Sequence, residues 1–129
     1  MPITRLLACA LLTALLLTAA LVPGVYKGRF QGDTGGGDIK VELTGEGEAM
    51  KAEVSFTYEG REIKCNVIRL KTEGDTLDIT YQFELFGLSM ESAVQGELKG
   101  KELQGTYRTK SMANGDRVDS GRWQATAQP

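Results

Sequence analysis

The chain contains no histidine. That removes the commonest general base and the commonest side-chain metal ligand together, and with them every triad built on an imidazole. Cysteine is nearly as scarce. Cys9 lies in the N-terminal segment, which leaves Cys65 alone in the remainder. One cysteine cannot close an internal disulfide, and Cys65 stands at an alternating apolar position, where it reads as a small buried hydrophobe. Proline occurs three times, twice before residue 24, so the sixteen glycines do not form a disordered Pro/Gly tract. A surplus of positive charge is missing too. Fifteen Lys and Arg against seventeen Asp and Glu give a net charge of −2 with the signs interspersed. No nucleic acid partner is expected from that balance, nor an anionic lipid surface.

Long apolar runs are absent with one exception. Residues 6–22 carry no charge, follow Arg5, and end at Pro23-Gly24 with Thr18, Ala19 and Ala20 as small residues before the break. A positive start, an apolar middle and small residues at the end describe a secretory signal peptide, here with cleavage expected after Ala20. The alternative is an uncleaved signal anchor, because an apolar helix over 6–22 would rise about 25 Å, the lower limit for crossing a bilayer. Leu6-Leu7-Ala8-Cys9 does not suit a lipoprotein, since its cysteine precedes the apolar run. Residues 1–22 are therefore assigned to export and 24–129 to a single domain. The expected location is the periplasm, the cell envelope or the extracellular space, with membrane contact only through residues 6–22 if they are retained.

What fills the rest of the chain is alternation. In residues 76–85, Leu77, Ile79, Tyr81, Phe83 and Leu85 alternate with Asp78, Thr80, Gln82 and Glu84. A period of two marks a strand with one dry face and one wet face. The same pattern predicts strands over 25–31, 38–44, 49–58, 63–72, 89–98, 103–109 and 120–127, separated by glycine-bearing turns. Within 63–72 the dry parity switches from Ile63, Cys65 and Val67 to Ile68 and Leu70, which predicts a β-bulge near Val67-Ile68. No useful helical periodicity follows Gly24. The expected fold is all-β: an eight-stranded antiparallel up-and-down (meander) β-barrel preceded by an N-terminal apolar helix. Closing the sheet removes its edges and gives each dry face a place to go.

Carboxylates are plentiful but unpromising. Asp75 with Asp78, and Asp116 with Asp119, sit at turns or outward positions, where paired acid–base chemistry has no dry cleft to work in. A calcium loop through Asn114-Gly115-Asp116 to Asp119 has too few oxygen ligands. No catalytic residue, metal or cofactor is expected, and the chain does not read as an enzyme. The aromatic set is the better lead. Tyr58, Tyr81, Phe83, Tyr107 and Trp123 have inward parity, whereas Gly28, Ser92, Gly96, Gly105, Gly121 and Ala125 give the other strands a small inner face. Glycines could serve strand curvature, or they could leave a cavity with tyrosine hydroxyls as its polar handles. Those five aromatic residues are the candidate ligand-binding set.

With Gly24-Val25-Tyr26 and Gly28-Arg29-Phe30 on the first strand and Gly121-Arg122-Trp123 on the last, the chain resembles the calycin group of barrels, lipocalin-like and avidin-like. It is also similar to small exported bacterial domains of unassigned function that end in a Gly-Thr-Tyr strand, here Gly105-Thr106-Tyr107, a polar loop and a Gly-x-Trp strand. The resemblance implies a barrel over about residues 24–127. It does not extend to biotin, whose avidin-like sites use several tryptophans where this chain has Trp123 alone. Two functions are expected from different classes. One is a non-catalytic exported module holding a small apolar or amphipathic ligand. The other is an accessory subunit docking a partner protein through its outer face and loops, tethered by an uncleaved N-terminal helix and exposing the apolar turn Phe86-Gly87-Leu88.

Overall fold

The computed structural model describes residues 20–129. The expected signal peptide or anchor helix falls almost wholly on residues 1–19 and, with Cys9, lies outside the described residues. Nine strands follow in chain order: β1 (Gly24–Gly32), β2 (Gly36–Thr44), β3 (Lys51–Tyr58), β4 (Arg61–Lys64), β5 (Asn66–Glu73), β6 (Thr76–Leu85), β7 (Leu88–Lys99), β8 (Glu102–Ser111) and β9 (Arg117–Ala127). A short 3-10 turn over Gly47–Ala49 replaces the first residues of the third expected strand. Among the described residues no helix is long and apolar enough to cross a membrane.

All neighbours are antiparallel, in the order β4-β3-β2-β1-β9-β8-β7-β6-β5. Because β1 pairs with β9, first and last strands lie side by side at the middle of one curled, barrel-like sheet. Its two edges, β4 and β5, are successive pieces of chain separated by Cys65 alone. The Cys65 amide still donates to the Val54 carbonyl of β3 (3.0 Å), whereas Asn66 already pairs with Gln82 of β6. What the periodicity predicts as one strand over 63–72 is thus divided, changing partner at Cys65, and the strand count becomes nine. The bulge lies where expected: Val67 faces Tyr81, Arg69 faces Thr80, and Ile68 has no partner. Ile68 itself corrects the expected parity, since the bulge turns it outward to 49% exposure.

The interior is asymmetric along its axis. Turns at 45–50, 74–75 and 100–101 crowd one end, where Tyr26, Leu43, Leu77, Leu103 and Ala125 are buried. Leu21 seats there too, with its amide donating to the Gly74 carbonyl (3.1 Å) and Tyr26 Oη donating to the Val22 carbonyl (2.6 Å). Burying one Leu side chain stabilises by about 1.5–3 kcal/mol, so this short segment closes that end. The other end carries the turns at 33–35, 59–60 and 86–87 and the loop at 112–116, and it is not closed.

The small inner face has a definite cause. A Cβ on Gly28, Gly105 or Gly121 would run into backbone atoms of the adjacent strand, at Gln124, Gln95 and Gln31 respectively. Those glycines let strongly coiled strands approach one another, as glycine does at sheet corners. Gly96 works differently. A Cβ there would lie 2.6 Å from Cζ2 of Trp123. The indole therefore occupies the space above Gly96 and Gly105, and its Nε1 donates to the Gln95 carbonyl (3.0 Å). At Gly96 the small inner face is thus filled by Trp123, and the cavity lies beyond the indole.

Candidate functional site

Beyond Trp123, toward the open end, lies a cavity of about 220 Å³. All five aromatic residues singled out from the sequence line it: Tyr58, Tyr81, Phe83, Tyr107 and Trp123. They come together because their strands share one register of inward positions. Phe30, Trp123, Gly105 and Gly96 form one cross-strand row, Val94, Tyr107 and Gly121 form the next, and Tyr81, Ser92, Thr109 and Asp119 form the one after.

One wall is a chain of rings meeting edge to face. Tyr107 meets Phe30 at 5.9 Å between centroids, Phe30 meets Phe56 at 5.6 Å, and Phe56 meets Phe83 at 4.9 Å. Tyr81 joins at a tilt, 6.0 Å from Phe83. Such geometry is favoured by the ring quadrupoles, each pair contributing about 0.5–1.5 kcal/mol beyond area burial. Phe30 and Phe56 were absent from the expected set, although Phe30 already had inward parity beside Tyr26, and Phe56 beside Val54 and Tyr58.

The lining that continues from Tyr81 and Tyr107 is polar, and alternation gave it little prominence. Ser92 Oγ and Thr109 Oγ1 lie 2.6 Å apart and are both buried. Tyr81 leans on Ser92, and burial holds the Tyr81 phenol well above its ordinary range. Tyr107 Oη donates to Asp119 Oδ2 (2.8 Å). Burial first, and then that hydrogen bond, push the Tyr107 phenol well above its ordinary range as well. Tyr107 is held as a donor, and both phenols keep their protons at neutral pH.

Asp119 reaches this wall in regular register, as the next inward position after Ala125, Trp123 and Gly121. A second bulge lies just beyond it: Thr109 faces Asp119 but Lys110 faces Arg117, leaving Val118 as the extra residue on β9. Bulges re-aim side chains, and here Val118 moves to the cavity mouth. Asp119 Oδ1 also accepts the Thr34 amide (3.2 Å), which ties the β1–β2 turn to β9. Gly32 makes the room: a Cβ there would be 2.5 Å from both carboxylate oxygens. The expectation that Asp119 is an ordinary loop carboxylate is thereby corrected. Continuing the parity of Gly121, Trp123 and Ala125 backward by one step would have reached it. Asp116 stays in the loop, its amide donating to Asn114 Oδ1 (3.0 Å), and no metal-holding cluster occurs among the described residues.

At the mouth, Phe86 is 63% exposed yet stacks edge-on against Tyr58 at 6.1 Å. Its φ is +53°, followed by +75° at Gly87. Two successive left-handed residues are the hairpin geometry that favours Asn-Gly, and a bulky aromatic pays about 1–2 kcal/mol to adopt it.

No protein-family model matches the chain, and neither a curated protein nor a solved structure does.

Proposed function

We propose that this chain is a non-catalytic exported module that holds one small apolar or amphipathic molecule in the cavity at the open end of the sheet. The observation that carries the reading is the division of the interior at Trp123. Packed side chains fill one half, and a rigid, mostly aromatic chamber of about 220 Å³ occupies the other. A dry cavity of about 150 Å³ already takes up a benzene-sized guest, so this one suits a single ring or a short chain. Polar groups gather at Tyr81, Ser92, Thr109, Tyr107 and Asp119, as orienting groups do in ligand sites. The absence of histidine, together with phenols pushed upward, supports binding over acid–base chemistry.

In this reading β4 and β5 act as one strand around the circumference, giving an eight-stranded barrel of calycin type. Residues 1–20 are its export signal, and removal after Ala20 leaves Leu21 already in its seat at the closed end. The test is native mass spectrometry of protein purified without detergent or organic solvent, paired with titration by 1-octanol. The expected results are a co-purifying small mass or, for empty protein, a saturable change in the emission of Trp123. A bare mass with no response to 1-octanol sinks the idea.

A second reading is favoured by one observation. Phe86, Leu88 and Met112 are exposed by 63%, 55% and 46% on the turns of the open end, which suits an accessory subunit docking a partner protein there. Partner capture that survives a filled cavity but is lost in Leu88→Ser would favour it over ligand binding.

A further inference from the structure

From the charge and aromatic content of the cavity, we infer that its ligand is an organic cation: a small apolar body carrying an amine, with Asp119 as the counter-charge. This deepens the proposed binding function and rests on it. Of the residues lining the cavity, Asp119 alone is of a charged type, and neither Lys nor Arg is among them. No ion pair holds it among the described residues, where the short Lys/Arg–carboxylate contacts are Arg29–Asp38 and Lys110–Glu91. A carboxylate has about four acceptor positions. Tyr107 Oη and the Thr34 amide occupy two, one on each oxygen, which fixes the group rigidly and leaves acceptor capacity facing the chamber.

The aromatic lining favours positive charge as well. Asp33 lies outside the chamber, on a surface shared with Lys110, Arg117 and Arg122, its amide donating to the Ser120 carbonyl (3.1 Å) and its Oδ2 accepting from Ser120 Oγ (3.4 Å). Its charge reaches Tyr107 too. A ring face attracts a cation within about 6 Å, and Phe30, Phe56, Tyr58 and Phe86 line the same chamber. An anionic ligand would meet the Asp119 carboxylate with no Lys or Arg among the lining residues. A neutral ligand would gain the aromatic wall but leave Asp119 without a partner of opposite charge. An ammonium group can satisfy both the carboxylate and the rings at once. Gly32 makes the arrangement specific, since any side chain there would displace the carboxylate.

Three probes with one apolar body test this: cyclohexylmethylamine, cyclohexylmethanol and cyclohexanecarboxylate, titrated calorimetrically into the full-length chain at neutral pH and low salt. The expected order is amine, then alcohol, then carboxylate, with the amine about tenfold or more tighter than the alcohol, as a charge-assisted contact provides. In Asp119→Asn the ratio of amine to alcohol affinity should fall to about twofold or less, with the thermal midpoint confirming that the variant is folded. Should the alcohol or the carboxylate match the amine in the unmodified protein, the cation assignment is wrong while a binding cavity stands. Amine selectivity that persists in a folded Asp119→Asn removes Asp119 from its role. If none of the three probes binds, and 1-octanol is silent too, the binding function fails with the inference.

Discussion

Replacing Gly96 by alanine tests whether Trp123 is the floor of the cavity or only one more core residue. The added Cβ would stand 2.6 Å from Cζ2 of the indole and 3.2 Å from its Cη2. Carbon atoms rest at about 3.5–4.0 Å, so the ring must retreat by about 1 Å. It has little freedom to do so. Trp123 is only 3% exposed, and its Nε1 is tied to the Gln95 carbonyl next to Gly96 itself. The ring can move toward the cavity only by lengthening that bond and entering the free volume. Overpacking of this kind costs about 1–3 kcal/mol, which for a domain near a hundred residues lowers the thermal midpoint by roughly 5–15 °C. Trp123 is the single tryptophan of the chain, so all indole emission reports on this site. Gly96→Ala should lower the urea midpoint, shift the emission to the red and weaken 1-octanol binding together. Gly105→Ala, whose Cβ meets the Gln95 backbone in place of a side chain, should cost more stability still, since a ladder strand cannot swing aside. An unchanged midpoint with unchanged emission in Gly96→Ala would refute the placement of the indole, and the account of the cavity floor with it.

Other perturbations follow from the polar wall, the rim and the seam. Thr109→Val should cost about 1–2 kcal/mol alone, because it strands the buried Ser92 hydroxyl 2.6 Å away. Added to Ser92→Ala it should cost almost nothing, and additive urea midpoints would show that the two hydroxyls do not depend on each other. Phe86→Asn should stabilise by about 0.5–1 kcal/mol, since asparagine tolerates the φ of +53° and the ring it replaces is largely exposed. The same change should weaken 1-octanol severalfold, and a lowered melting temperature would mean the ring packs more than its exposure suggests. Burial pushes the Cys65 thiol from 9.0 up to about 12. Below the unfolded value both states hold the proton and nothing is lost; above it the unfolded chain releases the proton while the folded one retains it. Stability should therefore fall by at most about 1 kcal/mol between roughly pH 9 and pH 10, before the phenols begin to contribute, and Cys65→Ala should lack that part of the fall. Parallel pH profiles of the two proteins would contradict it.

What alternation revealed and what it hid have one physical origin. A period of two reports which face of a strand is dry, so it identified Thr76–Leu85 to the residue and placed five aromatic side chains on one interior. It reported the bulge at Ile68 because two apolar residues in succession broke the period. The bulge at Val118 left no such mark. The residues around it, from Asp116 to Ser120, are mostly polar, so the shift in register changes nothing that hydrophobicity can register, and the strand looked like loop. Glycine was ambiguous for a related reason: it has no side chain to report a face. Gly28 and Gly105 answer to a neighbouring backbone, Gly96 to an indole and Gly32 to a carboxylate, three demands that one letter cannot distinguish. The features missed from the sequence are therefore the ones that distinguish the proposed site from the packed core. Asp119, Thr109 and Gly32 are polar or small at inward positions, where a rule built on burying apolar surface expects nothing. A chain selected only to fill its sheet would place aliphatic side chains at 109 and 119, gaining about 1.5–3 kcal/mol for each one fully buried. Their replacement by a hydroxyl and a carboxylate, beside a phenylalanine held in a left-handed turn, is a stability cost gathered at one end of the molecule, which the proposed binding function would account for.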